Sequence, residues 1–196
     1  NMTAVEVHGE TVIFDMGFEM EEVIGADGEV DQMTTNETLD TGAIPLDKSI
    51  MDNDVSAIVI GHGHLDHVGA IPKLAGAYDC PILCTAYTKK IVERNLENDR
   101  KNIDNDVIAV DKNEEYEISD KLDLEFMHVN HSIPQATLSL LKTPEGNVVY
   151  GNDMKIDYSP VIEETTDVER LKEAGEEGIE LMIPGTTRVD APGRCR

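Results

Sequence analysis

A chain of 196 residues is long enough for one domain with a substantial core and short for two. Forty acidic against sixteen basic side chains give a net charge of −24, and the basic residues, with Lys89-Lys90 and Arg100-Lys101 as their densest runs, are too sparse for a patch that holds nucleic acid by charge alone. There is no apolar run of about 18 residues, which excludes a membrane-spanning helix.

In chain order, residues 4–7 and 11–15 read as two strands of a hairpin turned over Gly9 and Glu10. The second strand ends on Asp15, with Gly17 just beyond it. Residues 19–54 are acidic and polar with few periodic features, and read as a long exposed excursion. The apolar run 56–60 is expected to be a buried strand, and 70–74 to open a helix. Between them lies Gly61-His62-Gly63-His64-Leu65-Asp66-His67-Val68-Gly69, a strand-to-helix turn of the kind on which α/β folds place ligands. Residues 81–84 read as a buried strand and 85–98 as a helix with Ile91, Val92 and Leu96 on its apolar side. A short strand at 107–110 follows, and then 122–126, which alternates with period two and runs into His128-Val129-Asn130-His131-Ser132. Residues 137–141 and 147–150 predict a hairpin over Pro144-Glu145-Gly146, whose second strand ends at Gly151-Asn152-Asp153. Residues 168–174 predict a short helix and 179–183 a last strand. No internal repeat and no low-complexity segment interrupts this order.

The chemistry concentrates at 62–67, where three of the six histidines and one carboxylate fall together. In an extended segment residues i and i+2 point to one side, so His62 and His64 can converge on one ion. Gly61 and Gly63 remove side chains that would crowd the turn. Asp66 and His67 lie past the bend and are expected to face a second ion, at the ~3.5–4 Å separation of two-metal hydrolases. Imidazole and carboxylate without thiolate suit zinc, with manganese where oxygen ligands dominate. Asp15, His131 and Asp153 stand at further strand ends. His131 would complete the His62/His64 ion and Asp153 would bridge both. Asp15 is cast behind a histidine, holding its ring through the other nitrogen. His128 faces the opposite side from His131, and His8 sits in a hairpin turn; both read as structural or exposed.

Cys80 and Cys84, roughly 13 Å apart in an extended strand, are too far to bridge and read as core thiols of a reducing cytoplasm. The acidic residues are dispersed along the chain rather than gathered in a tail. On a folded domain that points to adaptation to high salt, where a Debye length of ~3 Å at 1 M screens the self-repulsion. The opening at Asn1 and the ending at Arg194-Cys195-Arg196 read as cut edges of a longer protein.

The H-x-H-x-D-H motif with the distant His131 and Asp153 resembles the metallo-β-lactamase superfamily. Within it, Asn130-His131-Ser132-Ile133-Pro134, residues 143–155 and residues 187–194 are similar to the β-CASP ribonucleases, the archaeal ribonuclease J group above all. The resemblance implies an α/β fold, the αββα four-layer sandwich, over residues 1–183, with 184–196 beginning the connection to a β-CASP domain that lies beyond this chain. It implies two zinc ions, or manganese in their place: His62, His64 and His131 on one, Asp66 and His67 on the other, Asp153 between them. Catalytic roles fall to Asp66, Asp153 and Asp15. The implied activity is 5′-to-3′ degradation of single-stranded RNA in the cytoplasm, with no membrane partner, and a homodimer of the longer protein is compatible with it. The sequence departs from the family at Gly185, where a carboxylate is expected. That departure favours an alternative, a non-catalytic RNA-processing subunit of the same fold. A second alternative is a small-molecule hydrolase such as a thioesterase or lactonase, because the histidine motif is shared.

Overall fold

β1 (Thr3–Val7) and β2 (Glu10–Phe14) form the expected antiparallel hairpin, turned through His8 and Gly9 at φ 52° and 82°. Left-handed backbone at both central positions matches the twist of the flanking strands. The structure, a computed structural model, describes residues 1–25, 30, 33–45, 50, 53–99 and 102–186. The stretch 187–196, with its similarity to the β-CASP ribonucleases and Cys195, lies outside the described residues, and with it most of the connection expected at 184–196.

From β2 the first sheet continues in parallel through β3 (Val55–Ile60), β4 (Ile82–Cys84) and β5 (Val107–Ala109), in the order β1-β2-β3-β4-β5. The second sheet comprises β6 (Glu115–Ser119), β7 (Leu122–His128), β8 (Thr137–Lys142), β9 (Asn147–Tyr150) and β10 (Ile179–Ile183), in the order β10-β9-β8-β7-β6. Its pairs are antiparallel except β9 with β10. The helices are α1 (Met20–Gly25), α2 (Thr35–Asp40), α3 (Leu65–Val68), α4 (Ile71–Leu74), α5 (Ala86–Asp99) and α6 (Val168–Glu177).

Strands that read as unbroken apolar runs are covered on both faces. Between the sheets, Val12, Phe14, Val59 and Leu83 meet Leu124, Phe126, Leu141 and Tyr150. On the outer face of the first sheet, Ile13, Ile58, Ile60 and Ile82 pack with Val68, Ile71, Leu74 and Val92 of α3, α4 and α5. On the outer face of the second, Met127, Leu138, Leu140 and Val149 pack with Leu171 and Ala174 of α6. The result is the four-layer αββα sandwich. Each large aliphatic side chain fully buried here contributes about 1.5–3 kcal/mol.

Two regions differ from expectation. The described residues of 19–54 hold α1 and α2, and several of them are tied down rather than exposed. Phe18, Val30, Ala43 and Ile44 are buried in the outer core. Thr34 and Glu37 close a capping box on α2. Lys73, its side chain fully buried, donates from Nζ to Met33 O at 2.8 Å and pairs with Asp99 at 3.0 Å. Six-residue helices are too short to show a helical period, so the acidic composition concealed them. The strand β6 was likewise unannounced, because Glu115 and Glu117 face solvent while only Tyr116 and Ile118 turn partly inward.

β10 occupies one edge of the second sheet, with Leu181 and Met182 about half exposed (47 % and 54 %). Cys80 and Cys84 are buried free thiols. Among the described residues no helix is long and apolar enough to cross a membrane. The segments leaving β2, β3, β7 and β9 meet at one end of the sandwich, and the candidate side chains stand there.

Candidate metal centre

The centre begins with the exit of β3. A β-carbon at Gly61 would lie 1.3 Å from Asn152 Nδ2, so this position accepts no side chain. The Gly61 carbonyl accepts from Thr137 N at 3.0 Å and Thr137 Oγ1 at 3.1 Å, fastening the first sheet to the start of β8 in the second. The next residue, His62, is wholly buried, and His64 sits at the N-cap of α3.

His62 Nε2 lies 3.0 Å from His64 Nδ1, and His131 Nε2 lies 3.1 Å from that same atom. Ligand nitrogens around a tetrahedral zinc, at 2.0–2.1 Å from the ion, are separated by about 3.3 Å. Those two separations are therefore close to the edge lengths such an ion requires. Burial, and after it the neighbouring His67, His131 and His64, push the His62 imidazole down to about 2. His131 is lowered as well, by burial first and then by His64. Imidazoles held neutral in this way present lone pairs rather than protons, which is what a metal ligand must do.

A second group stands beside the first. Ligand atoms of His62, His67 and Asp153 lie within 4.8 Å of one another. Asp66 Oδ2 is 3.2 Å from His67 Nε2, and Asp153 Oδ2 is 3.9 Å from His131 Nε2, so Asp153 reaches toward both groups. His62 faces both groups too, an overlap that the i, i+2 spacing argument left out. A cavity of about 360 Å³ opens here, lined among others by Asn1, Asp66, His67, Tyr150, Asp153 and Gly185.

Asp15 holds His67 from behind. Its Oδ2 lies 2.8 Å from His67 Nδ1 and accepts from the Tyr150 hydroxyl at 2.9 Å. The residue is fully buried with φ 59°, a left-handed backbone that costs of order 1–3 kcal/mol and aims the carboxylate inward. Burial alone would lower His67, but its hydrogen bonds to Asp15 and Asp66 outweigh that and raise it to about 9. The hydrogen bond to His67 in turn holds the Asp66 carboxyl down at about 2. The pocket thus draws positive charge to His67. Among the described residues, His62 Nδ1 and Asp15 Oδ1 are both buried without a hydrogen-bond partner. Neutral imidazoles and converging carboxylates suit a metal ion.

The exit of β2 is zipped to α3 by backbone. Met16 N donates to His67 O at 2.8 Å, Phe18 N to Leu65 O at 3.0 Å, and Ala70 N to Met16 O at 3.0 Å. A β-carbon at Gly17 would lie 1.7 Å from Asp66 O.

Several residues of the centre were not singled out from the sequence. Tyr150 stacks on Phe14 at 4.8 Å and shares Asp15 with His67; an aromatic at a strand end just before Gly151-Asn152-Asp153 was the available signal. Asn130, before His131, accepts from Thr166 N at 2.8 Å and Thr166 Oγ1 at 2.9 Å, and donates to Glu164 O at 2.9 Å. It thereby locks the loop under His131. His128 lies away from the cluster, with Nε2 3.2 Å from Glu164 O, and His8 pairs with Glu145 at 2.7 Å. At Gly185 a β-carbon would meet Asn152 O at 2.9 Å. A carboxylate there requires the backbone of Asn152 to move, which accounts for the glycine in packing terms.

A family model described as the metallo-beta-lactamase superfamily matches residues 1–184. Over 99 % of its length the chain is 41 % identical to the ribonuclease J of Methanocaldococcus jannaschii, and over 96 % it is 41 % identical to that of Pyrococcus abyssi. It covers 44 % and 43 % of those proteins, so it spans less than half the length of these relatives. Among solved structures, a protein of unknown function from Enterococcus faecalis V583 superposes with a TM-score of 0.70 at 19 % identity, over 100 % of this chain and 48 % of that one. With the fold, the paired histidine groups and a family match over nearly all of its residues, the chain belongs to the metallo-β-lactamase superfamily.

Proposed function

We propose that these residues are the metal-binding catalytic portion of a zinc-dependent ribonuclease that degrades single-stranded RNA from the 5′ end, in RNA processing and decay in the cytoplasm. The observation that carries the reading is the convergence of His62, His64 and His131 beside His67 and Asp153, in a chain 41 % identical to proteins named ribonuclease J. A pair of divalent cations, when bound, supplies Lewis acidity to the phosphoryl oxygens and lowers the pKa of water, with zinc favoured by the imidazoles and manganese admissible beside the carboxylates. His62, His64 and His131 would hold one cation and Asp66 and His67 the other, with Asp153 placed between them. Asp15 fixes the ring of His67 by its far nitrogen, and Tyr150 fixes Asp15. Asp66 and Asp153 face the cavity and orient water and phosphate, a positioning contribution that carries several powers of ten in rate. The −24 charge opposes a polyanion, so capture of RNA falls to the cations, to salt screening and to parts of the longer protein.

The test is a 5′-labelled, 5′-monophosphorylated single-stranded RNA incubated with the full-length protein and zinc or manganese. Release of mononucleotides, abolished by Asp66→Ala and by Asp153→Ala, is the expected result. Residues 1–196 by themselves are expected to cleave little. Gly185 favours one competing reading, a non-catalytic subunit, and metal binding without any RNA cleavage would establish it. Hydrolysis of thioesters or lactones in place of RNA would replace the nuclease by a small-molecule hydrolase.

A further inference from the structure

We propose that Asn1 is part of the second cation site: its carboxamide closes the side of the cavity next to Asp66 and His67, and its oxygen faces a divalent ion bound there. The proposal rests on the two-cation reading of the cavity and is independent of the substrate.

Asn1 Nδ2 lies 3.1 Å from Asp66 O, 3.3 Å from Asp66 Oδ2 and 3.4 Å from His67 Nε2. The other ring nitrogen of His67 is committed to Asp15, so Nε2 is the one that points into the cavity, and the Asn1 amide sits on it. The backbone of Asn1 is held by its carbonyl, which accepts from Gly17 N at 2.8 Å. Gly17 is itself pressed against the Asp66 carbonyl, where a β-carbon would lie 1.7 Å away. The side chain therefore starts from a fixed point and has little freedom except rotation of its amide.

That rotation decides its role. With no ion there, the NH₂ group donates to Asp66 O and to Asp66 Oδ2. With a cation between Asp66 and His67, an NH₂ group would face like charge. Half a turn of the amide exchanges nitrogen for oxygen at the same place. A carboxamide oxygen is a neutral, hard donor of the kind that manganese, magnesium and calcium accept. The two sites then differ in kind. His62, His64 and His131 offer three nitrogens, whereas His67 is joined by carboxylates and an amide oxygen.

The test uses the full-length protein with any residues preceding Asn1 retained, as wild type, Asn1→Ala and Asn1→Asp. Each is loaded with one equivalent of zinc and titrated with manganese, free Mn²⁺ being read by electron paramagnetic resonance. The contact of the Asn1 carbonyl with Gly17 N is a backbone contact, so both variants keep it and should fold, which thermal melts verify. Asn1→Ala should weaken manganese binding by about 10–100-fold, the usual effect of losing a group beside a metal, with bound zinc unchanged. Asn1→Asp places a carboxylate oxygen at the same point and should bind at least as tightly as wild type. Equal manganese affinity in wild type and Asn1→Ala overturns the proposal, as does an Asn1→Asp variant as weak as Asn1→Ala. A wild type that takes up no second ion overturns it together with the two-cation reading. Manganese binding as expected in a protein that leaves RNA intact supports the proposal and removes the ribonuclease reading alone.

Discussion

Gly17 shows how closely single positions are constrained around the centre. With 1.7 Å between a β-carbon there and Asp66 O, Gly17→Ala must push α3 away from the exit of β2. Overpacking of this kind costs about 1–3 kcal/mol, and each kcal/mol lowers Tm by about 2–4 °C in a chain of this size. The expected outcome is a melt several degrees lower and weaker uptake of the second ion, because Asp66 and His67 ride on the displaced helix. A melt and a metal titration both matching wild type would refute this account of the contact. In the sequence Gly17 reads only as a glycine after an acid at a strand end; the pattern announces a turn and says nothing of a carbonyl from position 66 pressed against it. Asp15 was more legible, since an acid at a strand end near a histidine motif has few other employments, and it meets His67 Nδ1 at 2.8 Å. Tyr150 was not, because its hydroxyl reaches Asp15 across the sandwich from 135 residues away, and no local pattern encodes that distance.

Among the elements, α6 depends most on charge for its place on the second sheet. Asp167 caps it by accepting from Arg170 N at 3.0 Å. The Arg170 guanidinium grips Glu125 of β7 with two bonds, Nε at 2.6 Å and Nη2 at 2.8 Å, and reaches Glu177 at 2.9 Å. Those bonds hold the largely buried Glu125 carboxyl below the usual glutamate range, Arg170 being the chief cause and Lys142 adding to it. A carboxyl depressed in the folded state lends stability that is complete above its unfolded value, about 4.3, and is lost as pH falls through the lower folded value. Urea midpoints measured from pH 6 down to pH 3 should therefore fall in wild type and fall less steeply in Glu125→Gln, which begins lower. Parallel slopes in the two proteins would remove Glu125 from the acid response. The long amphipathic or alternating elements, α5, α6, β3, β7, β8 and β9, were legible because each buries one or both faces over several residues. α1, α2 and β6 were not. Their apolar positions are few, and what places them is tertiary: packing of Met20 and Val23 on the outer core for α1, the buried Lys73 bonded to Met33 O beside α2, and pairing with β7 for β6. The signal that was present, Thr34-Thr35-Asn36-Glu37, marks a helix start without showing that the helix is only six residues long.

For the molecule as a whole, a charge of −24 on 196 residues sets the terms of stability. Self-repulsion acts over a Debye length of about 10 Å at 0.1 M salt and about 3 Å at 1 M. Tm should therefore climb steadily from dilute buffer to molar KCl, and a Tm that stays level across that range would count against adaptation to high salt. An α/β fold was legible at this scale because strands and helices alternate around the histidine turn, and the four-layer sandwich only through the resemblance that the motifs carry; the assignment of each strand to a sheet was not, since it depends on pairings between distant residues. The same charge bears on the edge of the second sheet. Among the described residues nothing pairs with the outer side of β10, and it offers Leu181 and Met182 beside an open row of backbone donors and acceptors. Such an edge is a template for another strand, and natural proteins guard it with charge. Here the guard is the long-range repulsion between whole molecules rather than a lysine on the strand itself. Salt screens like charges inside one copy and between copies alike, so a rise of Tm with KCl is expected to come with association of copies through the edge of β10.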